Sequence, residues 1–171
     1  MPRESMQYDV VVVGAGPAPT TTTSYCIDSR AMAQIIILRF MAKTLVHVER
    51  IPIRWGDMDA MGHVNNTVYF RYMEQARIGW FDRLVPRADA WTRTGIVIVN
   101  ASCNFKRALN YPGTVEVKVF AGPPGGSSVG TFYELRMKRV LYADGAATVV
   151  FIDMGRQKPI RIPQSIREAM Q

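Results

Sequence analysis

The chain has 171 residues, of which 48% are hydrophobic and 20% are charged, a composition typical of one ordinary globular domain. The longest apolar runs, Val10 to Val13 and Ile35 to Leu38, are far too short to span a bilayer, so no transmembrane helix and no membrane partner are predicted. Two cysteines and two histidines are too few for a disulfide framework or for a zinc site built from protein side chains alone. We therefore expect a cytoplasmic protein without a metal.

The formal charge of +7 is unevenly distributed along the chain. Residues 1–40 contain equal numbers of basic and acidic side chains, so the whole excess lies beyond them. An anionic partner is the natural inference from such an excess. The basic residues are scattered rather than clustered with aromatic residues, which argues against nucleic acid as a partner. A phosphorylated small molecule, or simply a basic surface, would explain the charge equally well.

The first 40 residues differ in character from the rest of the chain. The segment from Tyr8 to Ala18 resembles the strand and glycine-rich turn that open a flavin-binding Rossmann domain. Pro19 stands where a third glycine is required, and Thr20 to Thr23 is a β-branched run where an apolar helix should begin. We therefore interpret residues 1–40 as an atypical extension outside the fold. A flavin-binding protein is kept only as a distant alternative.

Residues 44–55 are predicted to form the first strand of a domain that covers residues 41–171. The alternation of this strand changes phase near Glu49 and Arg50 and it carries Pro52, features expected of a bulge or an edge strand. The stretch from Asn66 to about Leu84 is predicted to be the one long helix. Apolar residues recur along it every three or four positions, namely Tyr69, Met73, Ala76, Trp80 and Leu84. That apolar stripe requires a sheet to bury it.

Four further strands are predicted over residues 95–106, 113–121, 128–140 and 146–154. Apolar and polar residues alternate along the second and third of them, so one face of the sheet should be buried and the other exposed. Turn signals rich in glycine and proline separate the strands, and Asp144-Gly145 is a strong hairpin signal. A short helix is expected from about Pro163. Hairpin-linked strands with one long helix indicate an α+β fold with an antiparallel sheet.

Polar functional groups are concentrated between the first strand and the long helix, from Arg54 to Tyr69. This stretch holds two carboxylates, two glycines, one histidine and two asparagines. Unpaired backbone N–H groups at a helix N-terminus carry a partial positive charge that can polarise a carbonyl or hold an oxyanion. A carboxylate beside such donors suggests acyl transfer as the chemistry.

Each residue of this loop also has a purely structural explanation. Asn65 or Asn66 is a suitable N-cap, and Gly62 suits a turn with positive φ. His63, close to the start of an amphipathic helix, is more often packed or hydrogen-bonded than catalytic. Asp57 could accept hydrogen bonds from the loop amides. No single residue of the loop decides between structure and catalysis.

The constellation is more specific than its members. The pattern Gly56-x-Asp-x-Asp-x-x-Gly-His-Val-Asn-Asn-x-x-Tyr, followed by Glu74-x-Ala-Arg77, closely resembles the opening of hotdog-fold acyl-CoA thioesterases of the 4-hydroxybenzoyl-CoA thioesterase-like group. The resemblance covers about residues 44–163. It implies a long central helix wrapped by a curved five-stranded antiparallel sheet. It also implies pairing with a second copy, as a homodimer or a homotetramer.

The resemblance implies roles for three residues at the start of the helix. In this family the second aspartate of the Asp-x-Asp pair acts as nucleophile or general base, and it falls on Asp59. The backbone N–H that polarises the carbonyl falls on Asn66. Related thioesterases that act on acyl carrier protein place an asparagine where this chain has Met61, so His63 is expected to have only a supporting role.

Glu74 is the second catalytic candidate. Hotdog enzymes of another branch use an acidic residue on the long helix, and Glu74 occupies such a position. The structural alternative is an ion pair with Arg77, which follows three residues later on the same helix.

The substrate implied by the resemblance is an acyl-CoA, which would be hydrolysed to a carboxylic acid and free coenzyme A without any further cofactor. A basic surface would raise the rate at which the anionic coenzyme is encountered. The candidates for substrate binding are Gly62, Asn65 and Tyr69 in the motif, Lys106 and Arg107 at a strand end, and Gly126 and Ser127, whose amides could form an anion-binding nest. A hotdog protein that binds acyl-CoA without cleaving it is the alternative. Asp59 argues against that alternative, because a passive site gains nothing from a carboxylate beside a polarised carbonyl.

Overall fold

The computed structural model describes residues 9–12, 43–84 and 93–170, and for residues 9–12 it describes the backbone alone. These residues form seven strands, one 3₁₀ turn at Trp55–Asp57 and two α-helices. The elements in chain order are β1 (Asp9–Val12), β2 (Thr44–Pro52), α1 (Asn66–Leu84), β3 (Thr94–Phe105), β4 (Thr114–Ala121), β5 (Ser128–Met137), β6 (Val140–Asp153), β7 (Lys158–Pro159) and α2 (Gln164–Ala169).

The strands form one sheet in the order β1-β3-β6-β5-β4-β2, and β7 pairs with the end of β6. Every pairing between these strands is antiparallel. The predicted α+β class and antiparallel sheet are therefore confirmed. The five predicted strands correspond to β2 through β6, to which β1 and the short β7 are added.

The long helix has the predicted bounds, Asn66–Leu84, and the predicted stripe is buried except at Leu84, which is partly buried. Tyr69, Met73, Ala76 and Trp80 are between 0% and 4% exposed. They belong to the same core cluster as the alternate, fully buried valines of β4, which are Val115, Val117 and Val119. The helix therefore covers one face of the sheet, as an amphipathic helix of this period must.

The hairpin predicted at Asp144-Gly145 is wrong, because the chain reverses earlier. The turn lies between β5 and β6 at Lys138 and Arg139, whose φ angles of 50° and 68° are in the left-handed region. Two consecutive residues with positive φ are what a tight two-residue hairpin requires. Asp144 and Gly145 instead lie inside β6, where they pair with β3 and β5.

Gly145 is explained by a close approach of other elements rather than by a turn. A Cβ atom placed on Gly145 would lie 2.5 Å from Sδ of Met73 on α1 and 2.8 Å from the carbonyl oxygen of Ser102 on β3. The second of these contacts is with backbone, which has little freedom to move. Glycine is therefore needed here for α1 to pack tightly on the sheet.

The bulge in β2 lies earlier than predicted. The pairing of β2 with β4 shifts register between Leu45 and His47 rather than near Glu49 and Arg50. The predicted edge position of β2 is confirmed. Beyond the bulge, the side chain of His47 is buried, and its Nε2 lies 2.9 Å from Oε2 of Glu49. The shift in register is thus followed by the pair His47 and Glu49, whose side chains lie against Gly79 of α1.

One expectation for the N-terminal residues is corrected by the structure. Residues 1–40 were expected to supply no strand, but Asp9–Val12 pairs with Ala101 to Asn104 of β3. The Gly-Ala-Gly-Pro-Ala segment at residues 14–18 lies outside the described residues. The division of the chain into an extension over residues 1–40 and a domain over residues 41–171 stays a prediction.

A protein that starts at Met41 is expected to fold cooperatively. All side chains that the structure identifies as buried lie between His47 and Met170, and β1 adds only four backbone pairings at one edge of the sheet. We expect the melting temperature to fall by less than about 5 °C, which corresponds to roughly 1 kcal/mol for a domain of this size. Thermal unfolding of the shortened and full chains, followed by circular dichroism, measures this, and a non-cooperative melt of the shortened chain would contradict it.

Candidate active site

The loop that joins β2 to α1 is closed by hydrogen bonds within itself. The N–H of Asp59 donates to the carbonyl of His63 at 2.7 Å, and the N–H of Gly62 donates to the carbonyl of Asp59 at 3.1 Å. Gly62 has a φ of 75°, as the structural explanation for this glycine required. Its carbonyl accepts a hydrogen bond of 2.7 Å from Nδ2 of Asn110. The loop is thus a tight turn tied to the β3–β4 connection.

The carboxylate of Asp59 is held by the backbone of its own loop. Its Oδ1 accepts hydrogen bonds from the N–H of Met61 at 2.8 Å and from the N–H of His63 at 3.1 Å. Among the described residues, no donor is bonded to its Oδ2. The side chain is half-buried. One carboxylate oxygen is therefore anchored, while the other is available to a substrate or a water molecule.

Asn65 caps the start of α1. The N–H of Asn66, the first residue of the helix, has no acceptor among the described residues. Oδ1 of Asn65 accepts from the N–H of Thr67 at 3.0 Å and from the Thr67 hydroxyl at 2.7 Å. Asn65 is thus the N-cap, in agreement with its structural explanation. The N–H of Asn66 points along the helix axis, as first-turn donors do, and carries part of the helix dipole.

Asp57 and Tyr72 connect the same loop to the side of the helix. Oδ2 of Asp57 accepts from the N–H of Arg54 at 2.9 Å and from the hydroxyl of Tyr72 at 2.8 Å. The carbonyl of Asp57 also accepts from the N–H of Asn65 at 2.9 Å. Burial and the neighbouring Asp57 carboxylate raise the pKa of Tyr72, so its hydroxyl stays a donor. Asp57 is therefore the loop acceptor that was expected.

The other catalytic candidates lie on the surface of α1 and its loop. His63 is exposed, and its ring has no hydrogen-bond partner among the described residues. Glu74 is also exposed. The ion pair offered as the structural account of Glu74 is wrong, because the structure shows none between it and Arg77. Arg77 is buried, and its Nη1 donates instead to the hydroxyl of Tyr133 at 2.9 Å.

Tyr69 and Cys103 are core residues whose protons are held tightly. Tyr69 is 3% exposed, and its hydroxyl accepts from the N–H of Leu109 at 3.1 Å and donates to the carbonyl of Arg107 at 3.4 Å. Burial raises the pKa of Tyr69. Burial also raises the pKa of the Cys103 thiol to about 12. Cys103 is thus no thiolate nucleophile at neutral pH, and Tyr69 contacts the β3–β4 connection.

Two cavities flank α1, one on each side. The first, of about 300 Å³, lies between α1 and the end of β2, and its lining includes Asp57, Tyr72 and Glu74. The second, of about 230 Å³, lies between α1 and strands β3, β5 and β6, and its lining includes Arg77, Tyr133 and again Glu74. Asp59 lines neither of them. Glu74 therefore borders both cavities, while Asp59 belongs to the turn at the helix start.

The residues expected to bind coenzyme A fall at two separate places. Lys106 forms an ion pair of 2.8 Å with Asp144, and Arg107 is exposed. Gly126 lines an open groove of about 670 Å³ together with Arg161 and Arg167. Among the described residues, the N–H groups of Gly126 and Ser127 have no acceptor, although their carbonyls do accept hydrogen bonds.

Three parts of these sites were not identified from the sequence. They are the bond between Tyr72 and Asp57, the two arginines of the open groove, and the burial of Arg77 beside the second cavity. A signal existed for the last one, because Arg77 lies four residues after Met73 and three before Trp80, inside the apolar stripe. No comparable signal joins Arg161 and Arg167 to Gly126, since their proximity depends on how α2 packs.

Neither a metal site nor a membrane span is found in the part of the chain that the structure describes. No group of three or more histidine, cysteine, aspartate or glutamate side chains there could hold a metal ion. No helix within the same residues is long and apolar enough to cross a membrane.

The raised pKa of Tyr72 predicts a loss of stability at alkaline pH. The pKa of Tyr72 in the folded protein lies above the ordinary value of 10.0, so the folded state holds the hydroxyl proton more tightly than the unfolded state does. The stability that this proton contributes is complete below pH 10.0 and is lost as the pH rises further. In Tyr72→Phe, which has no hydroxyl to ionise, the free energy of unfolding should fall less steeply at alkaline pH. At neutral pH the variant should lose roughly 1–3 kcal/mol of unfolding free energy with the hydrogen bond to a carboxylate.

Urea unfolding at a series of pH values measures both effects. Tyr111→Phe is the matched control, because Tyr111 is 49% exposed, and it should behave like the unsubstituted protein. Identical alkaline slopes for Tyr72→Phe and the unsubstituted protein would contradict the prediction.

The chain is similar to a known protein family and to several solved structures. Residues 53–170 match the family model of the thioesterase-like superfamily. A candidate thioesterase from Pseudomonas aeruginosa is 34% identical, with a TM-score of 0.69, and the alignment covers 75% of this chain and 100% of that one. A thioesterase from Thermus thermophilus, solved with coenzyme A and zinc, is 28% identical with a TM-score of 0.66, over 74% of this chain and 92% of that one.

A candidate acyl-CoA thioesterase from Xanthomonas campestris is 36% identical, with a TM-score of 0.59, over 64% of this chain and 94% of that one. The uncharacterized protein YsmA from Bacillus subtilis (strain 168) is 26% identical over 84 residues, which are 49% of this chain but only 56% of that relative. The predicted hotdog fold and family are confirmed by these matches. The chain therefore belongs to the thioesterase-like superfamily, and its enzymatic class is that of a thioesterase.

Proposed function

We propose that the protein hydrolyses acyl-CoA thioesters, releasing a carboxylic acid and free coenzyme A. The observation that carries the proposal is the junction between the loop and α1. There the carboxylate of Asp59 is anchored through one oxygen, and the N–H of Asn66 at the helix start has no acceptor among the described residues. A carboxylate and an oxyanion-stabilising donor are the two elements that hydrolysis of an acyl group requires.

In the proposed reaction the thioester carbonyl oxygen accepts a hydrogen bond from the N–H of Asn66. Asp59 either removes a proton from a water molecule, which attacks the carbonyl carbon, or attacks that carbon itself. Negative charge then develops on the carbonyl oxygen, where the helix dipole stabilises it. The carbon–sulfur bond breaks, coenzyme A leaves as a thiolate that takes up a proton, and the acid is released. If Asp59 attacks directly, water hydrolyses the resulting anhydride.

The open groove beside α2 is the proposed site for the phosphates of coenzyme A. Gly126, Arg161 and Arg167 line it, and the N–H groups of Gly126 and of the adjacent Ser127 have no acceptor among the described residues. Arg167 also donates to the carbonyls of Pro124 and Gly125. Consecutive free N–H groups with nearby arginines form a favourable environment for phosphate oxygens. The Thermus thermophilus relative was solved with coenzyme A, which supports coenzyme A as the ligand class. Lys106 is the weaker candidate, because Asp144 already neutralises it.

Glu74 is the competing catalytic acid in this proposal. It borders both cavities beside α1, whereas Asp59 lines neither. Asp59 is nonetheless preferred, since its carboxylate is oriented by two backbone N–H groups. Glu74 is exposed and has no hydrogen bond among the described residues. An oriented carboxylate loses less freedom on reaching the transition state.

Asp59→Asn is expected to slow turnover by roughly 10² to 10⁴-fold, because the amide keeps the shape of the side chain but cannot act as base or nucleophile. Affinity for a non-hydrolysable acyl-CoA analogue should change little, since the coenzyme is proposed to bind at the groove. Release of free thiol and calorimetric titration with the analogue provide the two measurements.

Glu74→Gln and His63→Ala are the matched variants, and both are expected to retain most of the turnover. If Asp59→Asn remains active while Glu74→Gln is inactive, the helix acid is the catalytic group and the assignment to Asp59 is wrong.

The protein is also proposed to pair with a second copy along β3. Val97 and Val99 of this strand are 38% and 51% exposed, and β1 pairs only with the other half of the strand, from Ala101 to Asn104. An open edge with exposed valines favours strand pairing between copies. Light scattering is expected to show at least a dimer, and Val99→Lys should shift the mass toward the 19.2 kDa monomer. A fully active monomer at micromolar concentration would contradict this.

A further inference from the structure

Arg77 is a buried cation whose only hydrogen-bond partner among the described residues is neutral. It is 8% exposed, and its Nη1 donates to the hydroxyl of Tyr133 at 2.9 Å. The Tyr133 hydroxyl lies 2.8 Å from the hydroxyl of Thr131, which itself donates to the carbonyl of Ala147 at 3.1 Å. All of these side chains are buried between α1 and the sheet.

The number of available protons determines which hydroxyl donates in this series of hydrogen bonds. The single proton of Thr131 is used on Ala147, so Thr131 must accept from Tyr133. Tyr133 therefore accepts from Arg77 and donates to Thr131. Each acceptor in the chain is an uncharged oxygen, and none of them can neutralise the guanidinium.

Among the described residues the guanidinium has no counterion, and one of its edges is unused. Nε of Arg77 is buried without a hydrogen-bond partner, and no described residue accepts from Nη2. The nearest candidate carboxylate, Glu74, forms no ion pair with it. A buried charge that lacks an anionic partner is costly, and a missing partner is often a ligand. Nη2, which unlike Nε is not sealed from solvent, is the unbonded nitrogen open to a ligand, and a charge-assisted hydrogen bond from it to a carboxylate would neutralise the arginine.

Arg77 lines a cavity of a size suited to an acyl group. The second cavity, of about 230 Å³, is lined by Arg77 and Tyr133 at one end. Its remaining walls are mainly apolar and come from Phe70, Met73, Ile98, Ala101 and Ala147. Arg71 and Glu74, both exposed, also line it. A hydrocarbon chain would fit these walls, and an anionic end group would fit Arg77.

We propose that this cavity binds the acyl part of the substrate and that Arg77 recognises a carboxylate at the far end of that acyl group. The inference rests on the proposed thioesterase activity and names its substrate class, the coenzyme A monothioesters of dicarboxylic acids. Mainly apolar walls with one buried arginine favour a chain with one terminal carboxylate over a phosphorylated group, which would need more donors.

The position of Arg77 along the helix indicates the length of the acyl group. It lies eleven residues after Asn66, which corresponds to roughly 16 Å along the axis. Helical side chains tilt toward the N-terminus, so the arginine itself covers part of that distance. An acyl group of medium length therefore reaches from the thioester to the guanidinium, whereas a malonyl or succinyl group is too short.

The test compares two thioesters that differ only in the terminal group, suberoyl-CoA and octanoyl-CoA. The unsubstituted protein should have a kcat/KM for suberoyl-CoA at least about 10-fold higher than that for octanoyl-CoA. In Arg77→Met, kcat/KM for suberoyl-CoA should fall by roughly 10- to 100-fold, and that for octanoyl-CoA should change by less than about threefold. Arg83→Met is the matched control, because Arg83 is an exposed arginine of the same helix that lines neither cavity, and it should keep the preference.

Binding of the corresponding non-hydrolysable thioether analogues separates this inference from the proposed function. Tighter binding of the suberoyl analogue that is lost in Arg77→Met, without turnover of either thioester, would support the pocket and refute the hydrolysis. Turnover of both thioesters at equal kcat/KM would overturn the inference and leave the hydrolysis standing. If Arg77→Met does not fold, Arg77→Lys takes its place, since an ammonium keeps the charge but lacks the planar guanidinium that reaches both Tyr133 and the ligand, and it should weaken the preference.

Discussion

The packing of α1 on the sheet fixes the position of every part of the proposed site. Truncating a buried aromatic side chain such as Trp80 typically costs about 3–5 kcal/mol, whereas losing an N-cap such as Asn65 costs about 1 kcal/mol. The helix is therefore placed by its buried stripe, and the cap only refines where it begins. Gly145 allows the closest approach, because any larger residue would collide with Met73 and with the backbone at Ser102. The two cavities are the spaces that remain beside a helix held in this way.

The two carboxylates of the loop have different roles because their partners lie in different places. Asp57 bonds to Arg54 in the loop and to Tyr72 on the helix, and its carbonyl receives the N–H of Asn65. It thus joins three segments, and its removal would disturb all of them. Within the described part of the chain, the carboxylate of Asp59 bonds only to amides of its own turn. The charge of Asp59 can therefore change during a reaction without disrupting the surrounding structure. For this reason we assign a catalytic role to Asp59 and a structural role to Asp57.

Sequence reasoning succeeded where one periodicity or one contiguous motif carried the signal. The spacing of Tyr69, Met73, Ala76 and Trp80 predicted the helix and its buried face, and the loop pattern identified the family. It failed where a contact between distant segments overrode a local rule. Asp144-Gly145 has the composition of a hairpin turn, but Gly145 instead makes room for Met73 of the long helix, which lies 72 residues earlier in the chain.

The same failure explains the misassigned partner of Arg77. The i,i+3 rule predicted a pair with Glu74, a contact worth only about 0.2–0.5 kcal/mol on a helix surface. The arginine instead faces the sheet, where the hydroxyl of Tyr133 accepts its hydrogen bond. Tyr133 is distant in sequence, so no local window could have connected the two. The pairing of Asp9–Val12 with this sheet was missed for a related reason, since its valines predicted a strand but its partner on β3 is about 90 residues away.

One helix thus carries two functions that are separated along its length. The proposed chemistry is at the first turn, at the N–H of Asn66 beside the loop that carries Asp59, and the proposed recognition is about three turns further along the helix, around Arg77. Since α1 is held to the sheet over its whole buried face, a change of side chain in the cavity has no flexible segment through which to disturb the first turn. The acyl specificity of such an enzyme can therefore change by substitution at the cavity walls while the hydrolytic site is preserved.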